Sequence, residues 1–314
     1  MSREPMDAGL PAGLPGLAPV LAGVMLADSP TDAGANRAEA ADRHGFGRFH
    51  LADRGLDGRD QWVMLGATAR TTRHIRLGLV TNPFTRTPAT TANALRTLRE
   101  LTGGRAFVVL ARGGERILSG GGAVAHRPIA AVQESLRVIG ELCPGAETWV
   151  ATKGPAMAAM ALRHADGLLL SGVPHALLPE VTAKLRAAMD RPVTLGLSVA
   201  YGGDGTASTR DGLIRVALEL GNLREEYREA AGIDAALVEA VKRELFGGGS
   251  LDRAAALVPP DLLPQFTLAA PRPELRTALD RLREHSGADV VEISASALFD
   301  DGGRLLAPQF TPTT

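Results

Sequence analysis

The sequence has little of several residue types, and each shortage narrows the kinds of protein that it can encode. One cysteine, Cys143, occurs in 314 residues, which excludes an internal disulfide and a zinc site built from several cysteines. The 34 basic and 35 acidic residues nearly balance, and no dense basic block occurs. This pattern argues against a nucleic-acid-binding or membrane-surface protein. We therefore expect a small-molecule partner and no metal.

A long uninterrupted apolar run is also missing. The first 23 residues are apolar in part, but four prolines break them up. This pattern fits neither a membrane-spanning helix nor a secretory signal peptide. We expect a flexible N-terminus over residues 1–19, one domain over residues 20–314 and a cytoplasmic location.

Short apolar runs, in contrast, are plentiful and alternate with segments of helical period. The runs that predict buried strands are 20–26, 48–52, 75–80, 106–111, 148–151, 167–171, 193–200 and 289–294. Such alternation is typical of parallel βαβ units that close into a (β/α)8 TIM barrel, with a doubly wound open sheet as the alternative. The long crossover 207–265 predicts an insertion over the barrel mouth.

In a TIM barrel, ligands bind at the carboxyl ends of the strands. After the third strand, "LGLVTNPFTRTPATTANALRTL" places Thr81, Asn82 and Pro83 where the apolar run stops, and Pro88 opens the next helix. An Asn-Pro turn of this kind is common on structural grounds alone. Its position at the expected active-site face favours a ligand contact instead.

The segment "ATKGPAMAAMAL" predicts a strand, a Gly-Pro turn and a helix. Free N–H groups at the helix start, together with Lys153, suit a phosphate or phosphodiester, although a plain helix start remains the alternative. "ARGGERI" offers a second anion cradle through Arg112, Gly113 and Gly114.

Three stretches together resemble a known family. "LGLVTNPFTRTPATTANALRTLRELTGGR", "FVVLARGG" and "ETWVATKGPAMAAMALRHADGLLL" resemble the bacterial luciferase-like superfamily. Within it, they resemble the coenzyme F420-dependent branch typified by methylenetetrahydromethanopterin reductase. The resemblance covers most of residues 20–170, and beyond them only the final strand and helix are similar.

The resemblance implies a flavin or deazaflavin ring in the barrel mouth. It implies a non-prolyl cis peptide in the third strand, at Gly78 and Leu79, that presses on the ring. A glycine that only lets the strand pack tightly is the alternative. The implied cofactor-binding residues are Gly78, Leu79, Thr81, Asn82, Arg112, Gly113, Gly114, Thr152, Lys153, Gly154, Pro155, Ala156, Met157 and Ser171.

The proton donor is sought among acids near the strand ends. Relatives often keep an Asp-His pair after the second strand, whereas this chain has Asp53 followed by Arg54. Asp53 is one candidate acid or orienting group, and Glu115 is the other. Either carboxylate could instead pair with a neighbouring arginine. His50 lies inside the second strand, and His175, after the sixth, is an outside candidate.

The resemblance, together with the Gly-Pro helix start, implies a deazaflavin (coenzyme F420)-dependent oxidoreductase. It would transfer a hydride to a C=C or C=N bond of a small-molecule or peptide substrate, for example a dehydrated peptide residue in natural-product biosynthesis. An FMN-dependent monooxygenase and a non-catalytic flavin-binding barrel are the alternatives.

The resemblance also implies a homodimer. The helix 88–101 presents small and apolar residues, Ala89, Ala92, Ala94, Leu95 and Leu98, that suit close helix packing across a two-fold axis. Packing of the same face on the barrel is the alternative.

Overall fold

Eight parallel strands close into a barrel, as the sequence predicts. The computed structural model describes residues 20–23, 32–53, 59–114, 118, 122–204 and 208–307. The strands are β1 Val20–Gly23, β2 Arg48–Ala52, β3 Arg76–Thr81, β4 Ala106–Leu110, β5 Glu147–Thr152, β6 Gly167–Leu170, β7 Thr194–Gly203, β8 Thr267–Ala269 and β9 Val290–Ser294. The pairing runs β1 to β7 through consecutive strands, and β9 joins β7 back to β1. The short β8 pairs only with the end of β7 and was not predicted.

Helices follow the strands and cover the outside of the barrel. They are α1 Ala33–Arg43, α2 Gln61–Thr68, α3 Pro88–Thr102, α4 Pro128–Leu142, α5 Pro155–His164, α6 Leu178–Ala187, α7 Arg210–Gly221, α8 Glu225–Ala230, α9 Ala235–Phe246, α10 Leu251–Ala256, α11 Leu263–Phe266, α12 Leu275–Ser286 and α13 Ala295–Leu298. None of the described helices is long and apolar enough to cross a membrane.

Local sequence explains where α3 begins and ends. Thr87 caps its first turn by accepting a hydrogen bond from the N–H of Thr90, and Pro88 occupies the first helical position. Gly103 ends the helix in the left-handed conformation, with φ of 64°. The predicted role of Pro88 as a helix start is therefore confirmed.

Strand residues alternate between the helices and the barrel interior. Leu51, Leu79, Leu110, Val150 and Ile293 face outward and are buried in the main core beneath the helices. The inward positions form a separate cluster around Phe107, Val109, Trp149 and Leu169. This division determines which side chains a ligand in the barrel mouth can contact.

Charged groups and aromatic rings close the amino end of the barrel. Nη2 of Arg48 lies 2.6 Å from Oε1 of Glu147, and Arg76 pairs with the other carboxylate oxygen. The Arg48 guanidinium also stacks over the Phe107 and Trp149 rings, at 5.4 and 4.8 Å from their centroids. The lower barrel is consequently filled by side chains.

The predicted insertion lies between β7 and β9 and has its own small core. It comprises α7 to α11 with β8, and its apolar residues, among them Val216, Leu220, Val241 and Phe266, form a cluster distinct from the main core. The insertion is therefore held together in part by its own apolar contacts.

One expectation needs correction, a second stays a prediction, and a third lies outside the described residues. The described chain contains no cis peptide bond, so the cis bulge at Gly78 and Leu79 is wrong for this structure. Both residues pair in regular parallel register with β2 and β4. On α3, Ala92, Leu95 and Leu98 are buried against the chain's own barrel, as the alternative for this face predicts, and the homodimer stays a prediction. The expected flexible N-terminus, residues 1–19, lies outside the described residues.

Candidate active site

At the carboxyl ends of the strands, small and medium-sized side chains point into the barrel and surround a space that we call the pit. Inward positions at the strand ends form two layers: Ala52, Ala111, Ser171 and Ser294 at the rim, and Val80, Ala151 and Ser198 below. All of these side chains are partly exposed. Their outward neighbours on the same strands are buried, so solvent reaches the inward positions through the mouth.

The pit ends on a floor that contains two polar side chains. The next inward layer consists of His50, Val109, Leu169 and Glu292, and each is at most 5% exposed. Nε2 of His50 lies 3.0 Å from Oε2 of Glu292. An ionisable pair thus lies buried directly beneath an open pit.

The charge of Glu292 is stabilised from three sides. Burial alone raises the pKa of its carboxyl, but the charge of His50, a hydrogen bond from Ser198 and the charge of Arg215 outweigh burial. The pKa is therefore held below its usual value. Arg215 belongs to α7, so the insertion reaches over the pit.

Asn82 lies at the rim, and its side chain supports the turn that follows β3. Its Oδ1 accepts hydrogen bonds from the N–H groups of Phe84 and Thr85, at 2.9 and 3.0 Å. Its Nδ2 donates to Oγ1 of Thr85 at 3.0 Å, and the residue is 3% exposed. This geometry matches the structural alternative for Asn82. We therefore favour the turn-stabilising role of Asn82 over its predicted contact with the ring.

Thr81 and Asp53 join the ends of β3 and β2 at the same rim. Oγ1 of Thr81 donates to Oδ2 of Asp53 at 2.9 Å, and the Asp53 N–H donates to the Val80 carbonyl at 2.8 Å. These two hydrogen bonds tie the carboxyl ends of β2 and β3 together and fix the position of the Asp53 carboxylate. Its sequence neighbour Arg54, and the second candidate acid, Glu115, lie outside the described residues.

The sequence suggested that Lys153 is an unpaired charge at the start of α5, but the structure pairs it with a carboxylate. Its ammonium pairs with the buried carboxylate of Glu219, and Nε of Arg215 lies 2.6 Å from the other oxygen of that carboxylate. Burial raises the pKa of Glu219, but the charges and hydrogen bonds of Lys153 and Arg215 lower it by more than burial raises it. The pKa of Glu219 is therefore below its usual value. Two cations on one anion leave a net positive charge at this side of the mouth.

The loop around Lys153 is tightly packed. The N–H of Gly154 donates to Oγ1 of Thr152 at 3.1 Å, and a Cβ at Gly154 would meet the guanidinium of Arg224 at 2.8 Å. Pro155 and Ala156 are exposed at the first turn of α5, whereas Met157 is buried. The start of α5 therefore lies close to three basic side chains, Lys153, Arg215 and Arg224, an arrangement that suits an anion.

The other predicted ligand contacts lie at different places. Gly113 adopts φ of +84°, and its Cα faces the Asn82 side chain, so only glycine fits there without strain. Arg112 and Gly114 are exposed beyond the end of β4, and Ser171 lines the pit. Leu79 faces the helices, so its side chain cannot contact a ligand in the mouth.

Sequence reasoning missed Glu219 and Glu292 and set His50 aside. The alternation of side chains along a strand could have identified two of them. His50 and Glu292 are polar residues at positions that point into the barrel, on strands that are otherwise mostly apolar. Glu219 lies four residues after Arg215 on α7, a pairing that only the folded insertion relates to Lys153.

His175, the outside candidate, follows β6 and contacts the insertion. Burial lowers its pKa to about 4, with His285 adding to the effect and a hydrogen bond to the Pro264 carbonyl opposing it. Nε2 of His285 lies 3.1 Å from the His175 carbonyl. His175 therefore fastens the insertion to the barrel.

The amino-acid sequence matches a known protein family. The family model described as luciferase-like monooxygenase matches residues 17–289. The 5,10-methylenetetrahydromethanopterin reductase of Methanolobus tindarius is 34% identical over 106 residues, 33% of this chain and 32% of that protein. The reductase of the same name from Archaeoglobus fulgidus is 24% identical over 295 residues, 82% of this chain and 87% of that protein.

A solved structure extends the similarity to the fold. The coenzyme F420 dependent tetrahydromethanopterin reductase from Methanopyrus kandleri superposes with a TM-score of 0.75 at 20% identity. The superposition covers 93% of this chain and 99% of that one, which confirms the predicted TIM-barrel fold. The family match covers most of the chain and confirms the resemblance found in its motifs. The chain therefore belongs to the luciferase-like monooxygenase family.

Proposed function

We propose that the chain is a coenzyme F420-dependent oxidoreductase that reduces a C=C or C=N bond of an organic substrate. The observation that carries the proposal is the pit, open and two small-residue layers deep, at the end of the barrel where this fold binds ligands. The similarity to reductases along most of the chain favours the deazaflavin coenzyme over FMN.

The residues present fit such a coenzyme. A planar ring needs a narrow space without bulky side chains, and the rim offers alanines and serines. An anionic tail needs positive charge at the mouth, and Lys153, Arg215 and the start of α5 supply it. When bound and reduced, the coenzyme supplies a hydride from C5 of its ring.

The chain's own residues would bind, orient and shield the reactants. Helix α7 extends over the mouth and would limit water there, because Arg215 and Glu219 connect it to the Lys153 loop. Asp53, held by Thr81 at the rim, is the described carboxylate best placed to move a proton at the substrate.

The test is an anaerobic assay of reduced coenzyme F420 with a panel of unsaturated acceptors: pterins, imines, enones and dehydrated peptide residues. We expect the absorbance of oxidised coenzyme to return with at least one acceptor. Asp53→Asn should lower kcat by about 100-fold and leave coenzyme affinity within about threefold.

The matched control is Asp252→Asn, which alters an exposed carboxylate of the insertion. It should behave like the unaltered protein. Oxygen-dependent turnover of reduced FMN, with no oxidation of the deazaflavin by any acceptor, would contradict the proposal and favour a monooxygenase. Binding without turnover of either would favour a non-catalytic barrel.

A further inference from the structure

The floor of the pit has unused hydrogen-bonding capacity. His50 is 3% exposed and Glu292 is 4% exposed. Nε2 of His50 faces the Glu292 carboxylate at 3.0 Å, whereas Nδ1 has no hydrogen-bond partner within the described part of the chain. Buried polar atoms without partners are unfavourable and rare, so their presence beneath an open pit indicates that something else satisfies them.

The layers above the floor limit what can reach it. Val80, Ala151 and Ser198 surround the space directly over His50 and Glu292, and the rim above them is also small. The barrel interior is only wide enough for a few side chains at each level. A ligand that touches the floor must therefore be narrow and enter edge first, as a flat ring system does.

The chemistry of the two side chains selects one edge of such a ring. A carboxylate accepts hydrogen bonds, and an imidazole offers one donor and one acceptor when neutral, or two donors when charged. A flavin or deazaflavin has one polar edge, an imide with a carbonyl, an N–H and a second carbonyl. Its opposite benzenoid edge offers no acceptor or donor and would leave Nδ1 of His50 without a partner, which penalises that orientation.

We propose that His50 and Glu292 bind the imide edge of a flavin or deazaflavin ring, with Glu292 accepting from the imide N–H and His50 donating to a carbonyl. This rests on the proposed function only in that the pit takes a ring of this class. The pair therefore orients the ring and acts as a positioning pair.

The test compares 5-deazariboflavin with its N3-methyl derivative, which lacks the imide hydrogen. Neither probe carries a phosphate, so the Lys153 region does not affect the comparison. We expect the unaltered protein to bind the methylated probe about tenfold or more weakly, because a hydrogen bond to a charged group is lost. Quenching of probe fluorescence gives both dissociation constants.

Two substitutions at Glu292 should reduce the discrimination between the two probes to different extents. Glu292→Met removes the acceptor and should bind both probes alike, whereas Glu292→Gln keeps an amide oxygen and should discriminate by an intermediate factor. The matched control is Glu147→Gln, which removes a carboxylate from the closed end of the same barrel. It should lower the melting temperature and leave the discrimination unchanged.

The outcomes separate this inference from the proposed function. Equal binding of both probes to the unaltered protein, binding of neither, or discrimination that survives in Glu292→Met would overturn the inference. If the intact coenzyme still binds and is oxidised in those cases, the proposed function stands. If neither the probes nor the intact coenzyme binds, both fail.

Discussion

Asn82 and Thr85 hydrogen bond to each other twice. The N–H of Thr85 donates to Oδ1 of Asn82 at 3.0 Å, and Nδ2 of Asn82 donates to Oγ1 of Thr85 at 3.0 Å. These bonds fix the turn between β3 and α3, and Gly113 packs against the same amide. The Asn82 amide therefore stabilises the turn that borders the rim of the pit.

Replacement of Asn82 tests this role directly. Asn82→Ala should lower the free energy of unfolding by about 1–2 kcal/mol, because the partly buried N–H groups of Phe84 and Thr85 lose their acceptor. Deazaflavin affinity should change by no more than about twofold in the folded molecules. Urea unfolding and fluorescence titration measure the two quantities. Asn93→Ala, on the exposed face of α3, is the control, and unchanged stability with lost binding would refute this role.

Glu219 opposes the binding of anions by neutralising Lys153 and Arg215. Glu219→Gln keeps the shape of the side chain but leaves both cations without their counter-charge. The preference for FMN over riboflavin should rise about fivefold at low salt and shrink as ionic strength increases. Calorimetry at two salt concentrations measures it. Glu239→Gln, at an exposed pair on α9, should change nothing, and an unchanged preference in Glu219→Gln would place the phosphate site elsewhere.

His175 should make the folded state sensitive to acid. Its pKa is lowered to about 4 in the fold, chiefly by burial, from an ordinary value of 6.5. Between these values the unfolded chain binds the proton and the folded chain does not, so stability falls as pH falls. We expect His175 to account for a loss of about 2 kcal/mol between pH 7 and pH 5.

Urea unfolding at the two pH values measures that loss. His175→Gln should remove most of it, while the exposed His126→Gln should not. An equal pH dependence in the His175 variant would show that other groups cause the effect.

Gly78 and Phe107 should be energetically coupled. A Cβ at Gly78 would overlap the Phe107 ring, which lies across it inside the barrel. Gly78→Ala should therefore destabilise the protein by about 1–3 kcal/mol, and the loss should be much smaller when Phe107→Leu is already present. A double-mutant cycle of thermal melts tests this, with Gly66→Ala, where a Cβ meets nothing within 4 Å, as the control. Additive effects would contradict the coupling.

The sequence predicts the barrel well because its signals are local. Apolar strands, helix starts such as Pro88 and the glycine after α3 each act within a few residues. The site is less predictable, since it depends on which residues the closed barrel brings together. His50 and Glu292 are 242 positions apart and meet only because β1 lies between β2 and β9. Likewise, Lys153 looks like a free anion ligand until α7 places Glu219 against it.

A titration of the purified protein with coenzyme F420 and with FMN, followed by fluorescence quenching, tests most directly whether the chain binds the deazaflavin coenzyme. The cationic rim at Lys153 and Arg215 suits the phosphodiester and acidic tail of the deazaflavin coenzyme, and the reductase-like relatives point the same way. We predict that coenzyme F420 binds at least about tenfold more tightly than FMN, a difference of about 1.4 kcal/mol. Tighter binding of FMN than of coenzyme F420, or no binding of either, would contradict the assignment of the deazaflavin coenzyme.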